Sequence, residues 1–206
     1  MQKACLYRAP LIDASHLSVS AGAASQLNKI CKRAEQQGQS LPVAYAIGVP
    51  PALLITAGCR IGRDESDMGI AGALQGKPIE LIKCQTNDLL VPASAEIVIE
   101  AVVDFQEYVE HTMGEFPDQY GSTRSPVARV TAITHRKNAV FHTIMAGKNP
   151  EHNALGIYIY SELRATLLQH LTAQFDCIED INVYMTPRRS GNRAQATIAI
   201  NKFQAD

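Results

Sequence analysis

Glu110 and Glu115 stand five residues apart in the stretch Glu110-His-Thr-Met-Gly-Glu115. Two carboxylates at this spacing can divide acid–base work. One stays ionised while a drier neighbour is pushed to a higher pKa and holds a proton. The Met-Gly between them fits a tight loop that would turn both acids towards one pocket. Solvent-facing loops also carry pairs of acids, so the pair alone does not distinguish a proton-handling site from a solvated surface. His111, between them, reads as a loop residue rather than a proton shuttle. His16, His135, His142, His152 and His170 show no metal-ligand spacing. The five cysteines, Cys5, Cys31, Cys59, Cys84 and Cys177, form no C-x-x-C pair. Unpaired thiols in a reducing, cytoplasmic compartment are therefore expected, and a zinc site is not.

A block of strands leads up to the acids: Ile79–Cys84, Asp88–Val91 and Glu96–Val103. In the last of these, Ile97, Ile99 and Ala101 alternate against Val98 and Val102. Upstream, Ser20–Gly38 reads as a helix with Ser20 as N-cap, a stripe of Leu27, Ile30, Cys31 and Ala34, and Gly38 as its stop. Pro42–Gly48 reads as a buried strand and Pro51–Ala57 as a short helix opened by proline. Met68–Leu74 reads as another helix, capped by Asp67 and stopped by Gly76. Downstream, Val127–His135 and Ala139–Met145 read as a hairpin turning through Arg136-Lys-Asn138. A long helix, Asn153–Gln174, carries Leu163, Leu167, Leu168 and Leu171 on one side, and strands Ile181–Met185 and Ala194–Asn201 complete the pattern. Consecutive strands outnumber helices, which predicts an α+β domain on a mainly antiparallel sheet or barrel.

The chain has 206 residues, 46% of them hydrophobic and 19% charged, enough for one domain with a sizeable core. A net charge of -1 points to neither nucleic acid nor an anionic membrane as partner. No apolar run is long enough to span a bilayer, and the first residues lack the apolar core of a signal peptide.

Four blocks are more specific. They are Pro42-Val-Ala-Tyr-Ala-Ile-Gly-Val-Pro-Pro-Ala52, Ala71-Gly-Ala-Leu-Gln-Gly76, the run from Lys83 to Glu100, and Val130-Thr-Ala-Ile-Thr-His-Arg-Lys-Asn138. In order and spacing they resemble the UbiD family of prenylated-FMN-dependent decarboxylases, and the likeness runs from about Tyr7 to Lys202. What is matched is the family's central flavin-binding portion. Residues 1–206 are thus expected to form a single flavin-binding domain, without the domains that usually precede and follow it. The resemblance implies a split β-barrel of the flavin-reductase type with peripheral helices. It also implies non-oxidative decarboxylation of an unsaturated or aromatic carboxylic acid with prenylated FMN, or FMN, as cofactor.

Its catalytic trio is one arginine and two glutamates. Arg8 matches at the end of Lys3-Ala-Cys-Leu-Tyr-Arg8. Glu110 and Glu115 match the two acids of Glu-Gly-Pro-Phe-Gly-Glu, whose Gly-Pro-Phe is His-Thr-Met here. The residue types suit the reaction. Loss of CO2 leaves an electron pair on carbon, and only a cofactor can act as its sink. Arg8 would hold a carboxylate and pair with Glu110. Glu115, if partly desolvated, would deliver the proton that replaces CO2. Further flavin contacts carried over are Leu6, Ser25, the Thr56-Ala57-Gly58 turn and Phe116.

The family's phosphate site departs more. A divalent ion such as manganese, with a monovalent ion such as potassium, joins the flavin phosphate to an asparagine, a histidine and a glutamate. Only Glu65 matches as a metal ligand; Lys3 and Gln26 stand at the other two positions. An ammonium at Lys3 would neutralise the phosphate directly, in place of the metal. The expected partners are a small carboxylic acid substrate, a flavin prenyltransferase as cofactor supplier, and a second copy of the chain or a separately encoded subunit to cover the pocket. The competing readings are a non-catalytic flavin-binding module and an assembly subunit without flavin.

Overall fold

Alternation of apolar and polar residues carries this chain into strand well past the ends read from the sequence. The computed structural model describes all residues except 1–3, 23–24, 60, 62–64, 116–118, 146–149, 187–192 and 202–206. Its elements in chain order are β1 (Leu11–Asp13), β2 (His16–Ser18), α1 (Gln26–Gln36), β3 (Leu41–Ile47), α2 (Pro51–Gly58), α3 (Asp67–Gln75), β4 (Leu81–Lys83), β5 (Leu90–Pro92), β6 (Ile97–Glu115), β7 (Gln119–His135), α4 (Pro150–Thr172), β8 (Ile178–Thr186) and β9 (Arg193–Ile200). The α+β class is as expected. The main sheet has five strands in the order β1-β2-β7-β6-β3, and β4-β5 and β8-β9 form separate two-stranded sheets. Among the described residues the main sheet has β1 and β3 as edges and does not close into a barrel.

Two compact units divide the chain. The first comprises Met1–Ala57, Ile61–Met113 and Ser122–Thr143; the second comprises Gly58–Arg60, Gly114–Gly121 and Ile144–Asp206. In the first, α1 covers one face of the main sheet. Cys31 of α1 is buried with Leu17, Val19, Ala101, Val103 and Ala128. On the strands these residues fall at alternate positions, as one face of a sheet requires. A second cluster, Cys84, Val91, Ala95 and Val98, packs where β4 and β5 meet the start of β6. In the second unit, Ile181 and Val183 of β8 are buried. Arg164 of α4 donates from Nε to the Ile181 carbonyl at 2.6 Å and pairs with Asp180 at 2.5 Å.

Several local expectations are corrected. Helix α1 starts at Gln26, because the Ser25 side chain accepts from Asn28 N and caps it; Ser20 instead forms an isolated β-bridge with Arg8. Ser66, not Asp67, caps α3, and Gly76 ends it in the left-handed region at φ +75°. The hairpin expected at 127–145 is not formed. β7 does end at His135, but residues 139–145 leave the sheet. Arg136 N donates to the Glu96 carbonyl at 3.0 Å and Val140 N to Glu96 Oε2 at 3.2 Å, which ties the segment to the start of β6. The Glu110–Glu115 stretch is not a loop: β6 continues through it to Glu115. Tyr108, Val109 and Thr112 favour strand, and β7 supplies the partner.

Glu100 anchors the segment between β4 and β5. It is 1% exposed and accepts from Gln85 N and Thr86 N, both at 2.7 Å, and from the Thr86 hydroxyl at 2.6 Å. Burial pushes its pKa up, but these hydrogen bonds outweigh burial and hold the carboxyl below its ordinary value.

Candidate functional site

The N-terminal segment lies against helix ends. Leu6 N donates to the Ala57 carbonyl in the last turn of α2 at 2.9 Å, and Ala4 N reaches Asp67 Oδ2 at the start of α3 at 3.3 Å. Two of the expected flavin contacts, Leu6 and Ala57, are thus neighbours. The close approach that the small residues at 56–58 permit is made by the chain's own backbone. They are also not a separate turn, because α2 continues through Gly58. Thr56 is buried and its hydroxyl donates to the Ala52 carbonyl at 2.8 Å, inside the helix. Ser25 spends its side chain on the α1 cap, and Gln26 is the first helical residue after it. Glu65 is exposed just before Ser66. Lys3 and Phe116 lie outside the described residues.

Around the acids, alternation decides which residues meet. Leu17 and Val19 face α1, so Ser18 between them faces the opposite side of the sheet, and Ser20 follows on that side. Arg8, exposed, is the bridge partner of Ser20. On β6, Phe105 adopts φ 59°, a left-handed conformation that shifts the alternation as a bulge does. Beyond it Tyr108 reaches α1, donating to Glu35 Oε1 at 2.6 Å, with the Arg124 guanidinium 5.1 Å from its ring centre. Burial, followed by that hydrogen bond to Glu35, pushes the Tyr108 phenol up to about 12. Glu110 and Thr112 continue this face, and Thr112 meets Ser122 of β7 at 2.9 Å. His111 therefore faces the other way. Its Nδ1 lies 3.3 Å from the hydroxyl of fully buried Ser18, and its Nε2 is buried without a hydrogen-bond partner.

Arg8 thus shares a sheet face with Ser18 and His111. Among the described residues no ion pair joins Arg8 to exposed Glu110. Glu115 closes β6 as part of the second unit. Ser18 was not singled out from the sequence, and His111 was read there as a loop residue. The signal that could have found His111 was the run Tyr108-Val109-Glu110-His111-Thr112, which reads as strand once the Met-Gly loop is set aside. Two clefts in the first unit, of about 100 and 120 Å³, are lined by other residues, among them Asp104 and Gln106 in both. Neither approaches the ~300 Å³ of a site that encloses a sizeable ligand. Among the described residues no three His, Cys, Asp or Glu side chains are grouped to hold a metal, and no helix is long and apolar enough to cross a membrane.

Residues 1–149 match the model of the UbiD 3-octaprenyl-4-hydroxybenzoate carboxy-lyase Rift-related domain. The chain belongs to the UbiD family. An uncharacterized protein of Synechocystis is 31% identical over 188 residues, 90% of this chain and 35% of that protein. Among solved structures, this UbiD chain resembles an evolved dimeric form of the UbiD-class enzyme HmfF from Pelotomaculum thermopropionicum in complex with prFMN. The TM-score is 0.76 and identity 33%, over 87% of this chain and 42% of that one. It also resembles the vanillic acid decarboxylase of Sedimentibacter hydroxybenzoicus, with a TM-score of 0.72 and 26% identity over 84% of this chain and 37% of that one. The chain therefore spans about two fifths or less of the length of these relatives. The HmfF structure holds prFMN, and the Sedimentibacter protein is a decarboxylase.

The donor chemistry of the first unit fits an oxygen-rich, anionic ligand of this kind. An exposed guanidinium and a buried, unpartnered imidazole nitrogen lie on one face of the sheet. The enclosure a flavin needs is not formed by the two clefts.

Proposed function

We propose that this chain is the flavin-binding portion of a UbiD-type carboxy-lyase, acting on an unsaturated or aromatic carboxylic acid, alone or as a subunit of a complex. The observation that carries the reading is the family match over residues 1–149; the resemblance read from the sequence adds Arg8, Glu110 and Glu115 as the residues for the chemistry. Prenylated FMN, when bound, supplies the electron sink that no side chain offers. Arg8 holds the substrate carboxylate through paired, charge-assisted hydrogen bonds. Glu115 holds the proton that replaces CO2; the pairing of Glu110 with Arg8 that the resemblance implies would need Glu110 to leave the α1 face of the sheet. Leu6, Ala57 and the small residues beside it offer backbone to the flavin, and a split barrel completed beyond the open sheet would house it. Lys3 neutralises the phosphate, so Glu65 need not hold a metal.

The test is co-expression with a flavin prenyltransferase, followed by the visible spectrum and mass of the bound ligand and a screen of carboxylic acids for CO2 release. A coloured protein that releases CO2 is expected. Glu115→Gln should lower that release by about 10²-fold or more, the usual weight of a general acid. Release unchanged by that substitution would remove Glu115 from the role, and a colourless protein would point to an assembly subunit. The two small clefts and the changed positions 3 and 26 favour one second reading, a flavin-binding module that has lost the reaction. Flavin bound with no CO2 released from any acid would select it.

A further inference from the structure

His111 has no role in the trio, and the related motif carries glycine at its position. In this chain it stands on the Arg8 face of the sheet, with one ring nitrogen engaged and the other buried without a partner. We propose that His111 is a ligand-reading residue: its Nε2–H binds an oxygen of the carboxylate that Arg8 holds, and so helps to select the acid. The inference rests on the reading given under Proposed function.

The hydrogen-bond inventory sets the sign of the interaction. Ser18 is fully buried, and its hydroxyl has His111 Nδ1 at 3.3 Å. Where the Ser18 hydroxyl donates to Nδ1, the imidazole is the tautomer that carries its proton on Nε2. Nε2 is then a donor, and a buried donor without an acceptor is a rare and costly state in a folded protein. A carboxylate oxygen satisfies it. Charge selects the same ligand, since Arg8 on this face attracts an anion. His111 as a whole is only half-buried.

The probe is benzoate, an aromatic carboxylate, added to the full chain with and without FMN. Two readouts are used: the imidazole ¹⁵N spectrum of the wild-type protein, and the benzoate Kd by calorimetry. The His111 Nε2 resonance should move on addition of benzoate. His111→Phe fills similar space without a donor, and should weaken benzoate binding about tenfold, the worth of roughly one hydrogen bond. His111→Gln retains a donor and should recover most of that loss. An unmoved Nε2 resonance overturns the proposal, as does a Kd for His111→Phe within twofold of wild type. The spectrum needs no variant, so a misfolded substitution does not block the test. CO2 release is scored separately. Release without a His111 response sinks this inference alone; a His111 response without release sinks the decarboxylase reading alone.

Discussion

Glu100 shows how a single carboxylate can be far more buried than Glu110 of the proposed trio and still serve only the fold. Its oxygens accept two backbone N–H groups and a hydroxyl, and removing it leaves those donors unpaired. Glu100→Ala should cost about 3–5 kcal/mol in a urea titration, typical of breaking a buried charged network. The carboxyl's folded pKa is lowered, so its contribution is present above the unfolded Glu value and is lost as pH falls through the folded one. The wild-type urea midpoint should therefore drop at acid pH, and Glu100→Gln should flatten that part of the profile. Lys3 supports a prediction of another kind. If its ammonium replaces the family's divalent ion, prolonged chelation should leave flavin bound to a folded protein, and loss of flavin on chelation would end that proposal. None of this was visible from residue type alone. Glu100 and Glu110 are both glutamates on β6, one sealed and one exposed, and only the neighbouring strands distinguish them.

At the scale of elements, caps and turns were legible to within a few residues where local chemistry rules. Proline opens α2, glycine ends α3, and Gly48 ends β3. Gly48 has φ +70°, and an added Cβ would meet Glu96 Cγ and, at 2.7 Å, Glu96 Cβ. Gly38 has a similar φ of +62° with open space around it. Gly38→Ala should thus cost about 1 kcal/mol from backbone conformation alone, while Gly48→Ala should cost more, about 2–3 kcal/mol, as read from thermal or urea melts. Equal losses would mean that the Glu96 contact yields freely. Errors arose where a tertiary partner overrode a local signal. The Met-Gly of residues 113–114 reads as a turn, yet β7 keeps it in strand. Ala139–Met145 reads as a strand, yet Glu96 captures the Val140 amide and the segment is not in strand.

For the whole molecule, the question is what would cover the proposed flavin. The extended segment after β7 leaves Val140, Phe141 and Met145 at 65%, 66% and 72% exposure. The chain matches about two fifths or less of the length of its relatives. The proposed cover is a second copy or a partner subunit, which links flavin affinity to assembly. Light scattering should then show FMN-loaded protein as an oligomer or complex, with affinity falling as dilution dissociates it to monomers. A stable monomer holding FMN tightly would contradict this. The isolated chain, whose two clefts of about 100 and 120 Å³ are too small to enclose a flavin, should bind FMN weakly.

The sequence alone determined the family and the α+β class, and it nominated Arg8, Glu110 and Glu115, because motif order and residue chemistry survive without coordinates. Only the tertiary structure decided which residues share a face. A strand turns successive side chains to opposite sides, and a bulge at Phe105 resets that alternation. Glu110 was thereby set on the α1 side, while His111, read from sequence as a loop residue, was placed beside Ser18 on the face that carries Arg8.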